Sequence, residues 1–116
     1  MNAANRAKQL PEPSGYKILI SIPEHEEKTD GGIYIPDQVK TAEETASIVG
    51  LVIKMGSLAY YDDEKFPTGP YCKEGDFVIF RSYSGTRMKV KGKEFRLIND
   101  DTVEAVVDDP RGFERA

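Results

Sequence analysis

Two groups of adjacent acidic residues are the first places in this 116-residue chain to look for catalysis. A pair of carboxyl groups can divide the roles of general acid and general base, and both Asp62-Asp63-Glu64 and Asp100-Asp101 supply such a pair. Adjacent acids in turn-like segments are far more often solvated caps. The GxSxG, P-loop and Rossmann signatures do not occur in the sequence. We therefore predict that the protein is not an enzyme.

Histidine and cysteine, the usual zinc ligands, occur once each, as His25 and Cys72. A structural zinc site normally takes four ligands, drawn mainly from these two residue types, so we expect no metal site. A single cysteine cannot form an internal disulfide, which is typical of a reducing compartment. Because the sequence contains neither a membrane-spanning apolar run nor the apolar core of a secretory signal, we expect a cytoplasmic protein.

Residues 81–96 are strongly basic. They hold six basic residues against Glu94, which leaves a net charge of −9 on the rest of a chain whose total is −4. The six are Arg81, Arg87, Lys89, Lys91, Lys93 and Arg96. Two interpretations stay open: the solvated face of a β-hairpin, or the interface of a monomeric β-barrel that binds nucleic acid. For base stacking the segment offers one obvious candidate, Tyr83.

An apolar triplet, Ile33-Tyr34-Ile35, follows Gly31-Gly32 and stands almost alone within the polar stretch 23–47. The rest of this stretch has little to bury, so it cannot offset the entropy of ordering, and we predict a mobile loop. The triplet has two interpretations. It is either a short edge strand packed on its own core, or a ligand on a flexible tether that docks into an apolar groove of another protein.

The elements that must position these residues show a period of two. Six short strands are predicted: 16–22, 48–55, 77–80, two strands of a hairpin that turns at 91–93, and 102–107. No helix is predicted, so the pattern indicates a small all-β barrel or sandwich. The apolar residues expected on inward faces are Tyr16, Ile18, Ile20 and Ile22; Val49, Leu51, Ile53 and Met55; Met88 and Val90; Phe95 and Leu97; and Val103, Ala105 and Val107. Gly50 is expected to mark a bend or bulge.

Taken in order, five stretches resemble the GroES-type co-chaperonins, the 10 kDa chaperonin family. They are GYKILISI, GGIYIPD, ASIVGLVIKMG, KEGDFVIF and YSGTRMKVKGKEFRLINDDTVEAVV. The resemblance covers about residues 15–108 and implies a small irregular GroES-like β-barrel. Its mobile loop would span about 23–47 and its roof hairpin about 56–72. Residues 1–14 would form a disordered N-terminal extension and 109–116 a C-terminal tail.

The same resemblance implies a function. Such a protein caps a chaperonin ring in its nucleotide-bound state and encloses unfolded client proteins; it needs no cofactor, since the chaperonin uses the ATP. Gly31 and Gly32 correspond to the turn of the mobile loop, and Ile33, Tyr34 and Ile35 to the triplet that binds the chaperonin apical domains. Tyr83 corresponds to a chamber-facing tyrosine. A homo-oligomeric ring, a heptamer, is implied, in which residues 16–22 pair with residues 102–107 of the neighbour. No nucleic acid and no membrane are expected as partners.

The roof stretch departs from the common bacterial pattern because it is rich in aromatic residues, and it looks like the insertions of phage-encoded members. A phage source would place the protein in the host cytoplasm. Four aromatic side chains have two interpretations, as a small satellite core or as a lining of the chamber. They are Tyr60, Tyr61, Phe66 and Tyr71.

Overall fold

The computed structural model describes residues 10–23, 47–113 and 116. Six strands form one antiparallel sheet with the order β4-β5-β1-β2-β3-β6. They are β1 (Lys17–Ser21), β2 (Val49–Met55), β3 (Phe77–Phe80), β4 (Thr86–Val90), β5 (Lys93–Asn99) and β6 (Val103–Val107), and a 3₁₀ turn (Asp100–Thr102) joins the last two. The all-β prediction is confirmed, and the four strands predicted with bounds begin and end within one residue of those bounds.

The main core joins side chains from β1, β2, β3, β5 and β6. Ile18, Ile20 and Ile22 are buried in it, as the alternation predicts. Tyr16, expected on the same face, is instead half exposed. The partners from the other strands are Val52, Val78, Phe80, Ile98 and Val103.

The alternation predicts β2 correctly as a strand and places Val49 and Met55 correctly on the inside, but it is wrong for Leu51 and Ile53. The register with β1 shifts opposite Leu19-Ile20, where β2 contributes one residue more than β1, which is Ile53. This bulge changes the parity of the strand. Val52 therefore belongs to the core and Met55 packs against it, whereas Leu51 and Ile53 are only partly buried.

Gly50 lies beside the core and is not itself the bulge. A Cβ atom at this position would come within 2.9 Å of Ile20 Cδ1 and 3.3 Å of Phe80 Cε1. The missing side chain thus lets β1 and β3 side chains pack close to the β2 backbone.

The connection between β2 and β3, residues 56–76, contains the stretch predicted as a roof hairpin. The structure describes all of it as turns and irregular chain, without a strand. The rings of Tyr60, Phe66 and Tyr71 contact one another with centroid separations of 4.9 to 5.3 Å. Tyr60 and Phe66 are part of the main core, while Tyr61 is 74% exposed. The cluster therefore includes three of the four aromatic residues and extends the core.

The stretch 16–22 is occupied within its own chain on both sides. β1 pairs with β2 and with β5. At its first residue Gly56 N donates to Lys17 O, and one residue before it Asp100 N donates to Tyr16 O. The expectation that this stretch pairs with a neighbour's last strand is therefore wrong. Among the described residues β6 pairs only with β3, so β6 keeps one edge open.

Candidate functional site

The segment predicted to bind a partner connects the end of β1 to the start of β2. Ile33, Tyr34 and Ile35, with Gly31 and Gly32, lie outside the described residues, so their roles stay predictions. The structure does describe both anchors of the segment. It therefore shows which part of the barrel carries residues 24–46.

The outgoing anchor is Ile22. Its side chain is buried in the core, and its backbone N–H donates to Glu94 O over 3.0 Å. This bond continues the β1–β5 pairing one residue past the end of the strand, where Ser21 faces Phe95. The chain is thus held to β5 until one residue before Pro23.

The returning anchor is formed by Ser47 and Ile48. Ile48 O accepts a hydrogen bond from Phe80 N over 2.9 Å, which ties this end to β3. Ser47 Oγ donates to Val49 O at 3.2 Å. Val49, which opens β2, then pairs with Ile79. The two anchors therefore depend on different strands, the outgoing one on β5 and the returning one on β3.

The basic hairpin is a solvated edge over part of its length. Arg87, Lys89 and Lys91 are exposed, as their outward parity predicts. Lys91 and Gly92 have φ values of 52° and 81°, which fits a two-residue type I′ turn. Arg96, counted among the six basic residues, is 0% exposed and pairs across the sheet with Ile20. It is therefore not available to a nucleic acid.

Arg96 belongs to a buried ionic network centred on Glu94. Arg96 donates to Glu94 Oε2 at 3.3 Å, and Arg87 donates to Glu94 Oε1 at 3.1 Å from the exposed side. The Arg96 guanidinium also lies 5.2 Å from the centroid of the Phe80 ring. Burial lowers the pKa of Arg96, and the hydrogen bond that Arg96 donates to Glu94 opposes this shift. Sequence reasoning missed the network, because alternation assigns Arg96 to the solvated face.

Tyr83 lies in the turn between β3 and β4 and is 55% exposed. Its φ of 65° is in the left-handed region, and the turn is closed by a hydrogen bond from Ser84 N to Arg81 O at 3.2 Å. Gly85 follows at φ 82°, where a Cβ atom would overlap the carbonyl oxygen of Leu97. The turn thus presents Tyr83 to solvent, while its predicted place facing a chamber stays a prediction.

Three of the acidic residues considered for catalysis, Asp62, Asp100 and Asp101, make structural contacts. Asp62 Oδ1 accepts the backbone N–H of Glu64 at 3.0 Å, and Asp101 pairs with Lys65 at 2.8 Å. Asp100 is buried, and its Oδ2 accepts the backbone N–H of Tyr60 at 3.0 Å. These contacts fit the interpretation as caps and anchors.

Cys72 lies beside Tyr60 in the core. The Tyr60 hydroxyl donates to Asp100 O at 2.8 Å and is 3.4 Å from Cys72 Sγ. Burial raises the pKa of the Cys72 thiol, although the hydrogen bond with Tyr60 opposes the shift. Burial likewise raises the pKa of Tyr60, and the hydrogen bond with Cys72 adds to it. Both groups are therefore neutral at physiological pH, and the thiol behaves as a small apolar side chain.

Two further findings concern residues 10–23, 47–113 and 116. Within these ranges no three His, Cys, Asp or Glu side chains come together as a metal site would require. Across the same residues no helix has the length and apolar character needed to cross a bilayer.

Comparison with known proteins finds one family that covers most of the chain. The profile described as "Chaperonin 10 Kd subunit" matches residues 11–107. "Co-chaperonin GroES" of Caldicellulosiruptor saccharolyticus is 39% identical over 97 residues, which cover 84% of this chain and 96% of the relative. The protein of the same name from Lawsonia intracellularis is 40% identical over 82% of this chain and 89% of the relative. That from Rubrobacter xylanophilus is 33% identical over 84% and 96%. The chain therefore belongs to the chaperonin 10 Kd subunit family, the GroES-type co-chaperonins.

Proposed function

We propose that this protein caps a chaperonin ring in the ring's nucleotide-bound state and encloses unfolded client proteins, without catalysis or a cofactor of its own. The observation that carries the proposal is the family match across residues 11–107, a span that includes the whole segment 24–46. The chaperonin would hydrolyse the ATP, and both proteins would act in the cytoplasm. A phage-encoded protein would act in the cytoplasm of its host.

In this proposal the triplet Ile33-Tyr34-Ile35 is the chaperonin-binding element, and Gly31-Gly32 form the turn that presents it. Burying three such side chains yields roughly 5–8 kcal/mol, at about 1.5–3 kcal/mol each. Ordering the segment on binding costs about 2–5 kcal/mol. One copy therefore binds weakly and releases readily.

Tight capping then requires several copies on one partner. A ring of identical chains makes every docking after the first intramolecular, with a high effective concentration. We propose a homo-oligomeric ring, a heptamer by family resemblance, in which the open edge of β6 contributes to the subunit contact. Tyr83, exposed at its turn, would face the enclosed chamber.

The test is capture of the chaperonin by the full-length protein, with ATP and without nucleotide. We expect capture in ATP, and its loss in Ile33→Asp and in Ile35→Asp, because each places a charge in an apolar groove. Val39→Asp is the matched control, since it adds the same charge to the same segment outside the triplet. Equal capture by the triplet variants and the control would contradict the proposal, as would a solution mass equal to one chain.

A further inference from the structure

The two anchors of segment 24–46 are held by strands that do not pair with each other. β5 holds the outgoing end, through the bond from Ile22 N to Glu94 O, and β3 holds the returning end, through the bond from Phe80 N to Ile48 O. In the sheet, β1 and β2 lie between β5 and β3. Direct pairing of β1 with β2 ends at Ser21 and Leu51, before either anchor. The spacing of the anchors therefore depends on something besides the β1–β2 ladder.

A side-chain contact connects the two holding strands. Arg96, in β5, donates to Glu94 Oε2 at 3.3 Å and lies over the Phe80 ring of β3 at 5.2 Å. All three side chains are buried, with Arg96 at 0% and Phe80 at 1% exposure. The residues whose backbones hold the two anchors, Glu94 and Phe80, are thus joined through the guanidinium of Arg96. We call the three residues the anchor strap.

A charged strap is an unusual way to fill a core. Removing two charges from water costs more than many buried pairs regain, and apolar residues of similar volume often replace such pairs with no loss of stability. What a planar guanidinium adds is geometry, because it fixes a carboxylate on one side and stacks on an aromatic ring with its face. The strap is therefore better explained by its effect on the relative position of β3 and β5 than by a gain in the free energy of unfolding.

We propose that Arg96 is a positioning residue, and that the strap of Glu94, Arg96 and Phe80 fixes the separation of the two ends of segment 24–46. Its consequence for partner binding rests on the proposed function. When the ends are held apart at one distance, the segment samples fewer conformations before it docks, so less entropy is lost on docking. In a ring, a small change in the binding free energy of each copy adds up over all copies. Arg96 would thus tune affinity without touching the partner.

The test compares three variants of the full-length chain by amide hydrogen exchange in the absence of chaperonin. Glu94→Gln with Arg96→Met removes both buried charges at nearly constant volume, and Phe80→Leu removes only the ring. Lys93→Met is the matched control, because it deletes an exposed charge from the same strand. Unfolding in urea gives the stability of each variant.

We expect the Ile22 and Phe80 amides to exchange about tenfold faster in both strap variants, as local opening of the anchors becomes easier. The Gly69 amide, bonded to Phe66 O in the 56–76 connection, is the internal reference and should not change. The double variant Glu94→Gln with Arg96→Met is called the charge-free variant. Its unfolding midpoint in urea should equal or exceed that of the parent chain. Lys93→Met should match the parent chain at every amide.

The decisive result is the effect of Phe80→Leu on the Ile22 amide, since Ile22 is bonded to β5 whereas Phe80 lies in β3, and two strands stand between β5 and β3 in the sheet. No acceleration at Ile22 would overturn the proposal, and so would an equal acceleration at Gly69, which indicates global loosening. If the charge-free variant fails to fold, exchange of the Ile22 amide in Phe80→Leu still tests the proposal. Combining Phe80→Leu with Arg96→Met should change exchange at Ile22 less than the sum of the two separate effects.

Affinity for a chaperonin in ATP is the second readout. We expect the charge-free variant to bind several-fold more weakly than the parent chain, and Lys93→Met to bind equally. If the parent chain does not bind, the proposed function fails while the exchange result still decides whether the strap holds the anchors. If the parent binds and the loosened variant binds just as tightly, the role of Arg96 in affinity is overturned.

Discussion

The barrel has two long connections of nearly equal length with very different use of apolar residues. Segment 24–46 has 23 residues, and its large apolar side chains are Val39 and the triplet Ile33-Tyr34-Ile35. The 56–76 connection has 21 residues and places Tyr60, Phe66 and Cys72 in the core. Apolar anchors tie the 56–76 connection to the barrel, and the composition of segment 24–46, which offers few apolar residues, predicts that a connection of similar length need not pack in the same way.

Anchoring the 56–76 connection has a conformational cost that its contacts offset. Tyr60 has φ 59°, a conformation that costs a non-glycine residue about 1–3 kcal/mol. Its N–H and its hydroxyl both bond to Asp100, and its ring packs edge-on against Phe66. These bonds fix the connection to the 3₁₀ turn before β6. In the other segment, we propose, the apolar residues are kept for a partner.

Among the changes that test this contrast, removal of an apolar anchor of the 56–76 connection should have the largest effect on the free energy of unfolding. Phe66→Ala should lower the free energy of unfolding by about 3–5 kcal/mol, because it empties a site that is 3% exposed. Tyr61→Ala, in the same connection but exposed, should change it by less than about 0.5 kcal/mol. Urea unfolding of both variants measures the difference. Similar losses would mean that the aromatic cluster does not anchor the connection.

Limited proteolysis compares the two connections in one chain. The composition of segment 24–46 predicts that trypsin cuts after Lys28 and Lys40 at least about 100-fold faster than after Lys65 in the free protein. Lys65 pairs with Asp101, and the next amide, Phe66 N, is bonded to Asp62 O, so cleavage there requires local opening. Mass spectrometry of early fragments gives the order of cuts. A first cut after Lys65 would reverse the contrast.

Substitution of a glycine at the start of the 56–76 connection should have a smaller effect on the free energy of unfolding. A Cβ atom at Gly56 would overlap the backbone oxygen of Gly15, so Gly56→Ala should cost about 2–3 kcal/mol. Gly69→Ala tests strain without a clash, because Gly69 has φ 93° and open space around it. It should cost about 1 kcal/mol. If the two variants were equally stable, the close approach of residue 56 to the N-terminal stretch would be unimportant.

The strands could be predicted from the sequence because alternation is a local property. The bulge at Ile53 could not, since it depends on how β2 meets β1 and it reverses the inward face of the residues before it. Arg96 was misassigned for a related reason: only the cross-strand neighbour Ile20 and the Phe80 ring show that its face is the core. The left-handed Tyr60 likewise follows from Asp100, forty residues away.

The candidate site was predictable from the sequence only in part. The triplet Ile33-Tyr34-Ile35 stands out because it is apolar in polar surroundings, and its role stays a prediction outside the described residues. The anchors Ile22 and Ile48 have no sequence signal of their own, since any apolar residue at a strand end looks the same. They are recognised only from bonds to β5 and β3.

The smallest predicted effect concerns pH and the buried Tyr60–Cys72 pair. Both pKa values are raised in the folded chain, from ordinary values of 9.0 for Cys72 and 10.0 for Tyr60. As pH rises past 9, the unfolded chain therefore loses these protons while the folded chain keeps them. Stability that is fully present below pH 9 is then lost, with a limiting slope of about 1.4 kcal/mol per pH unit for each group.

Cys72→Ala and Tyr60→Phe each remove one of the two titrating groups, and only the hydrogen-bonded partner of the removed group should titrate differently in the variant. Urea unfolding between pH 7 and pH 10.5 should give stability curves that run parallel below about pH 8.5 and converge above it. Convergence should begin near pH 9 for Cys72→Ala and near pH 10 for Tyr60→Phe. Curves that stay parallel throughout would show that water reaches both groups in the folded chain, and hence that the 56–76 connection opens as readily as a loop without anchors.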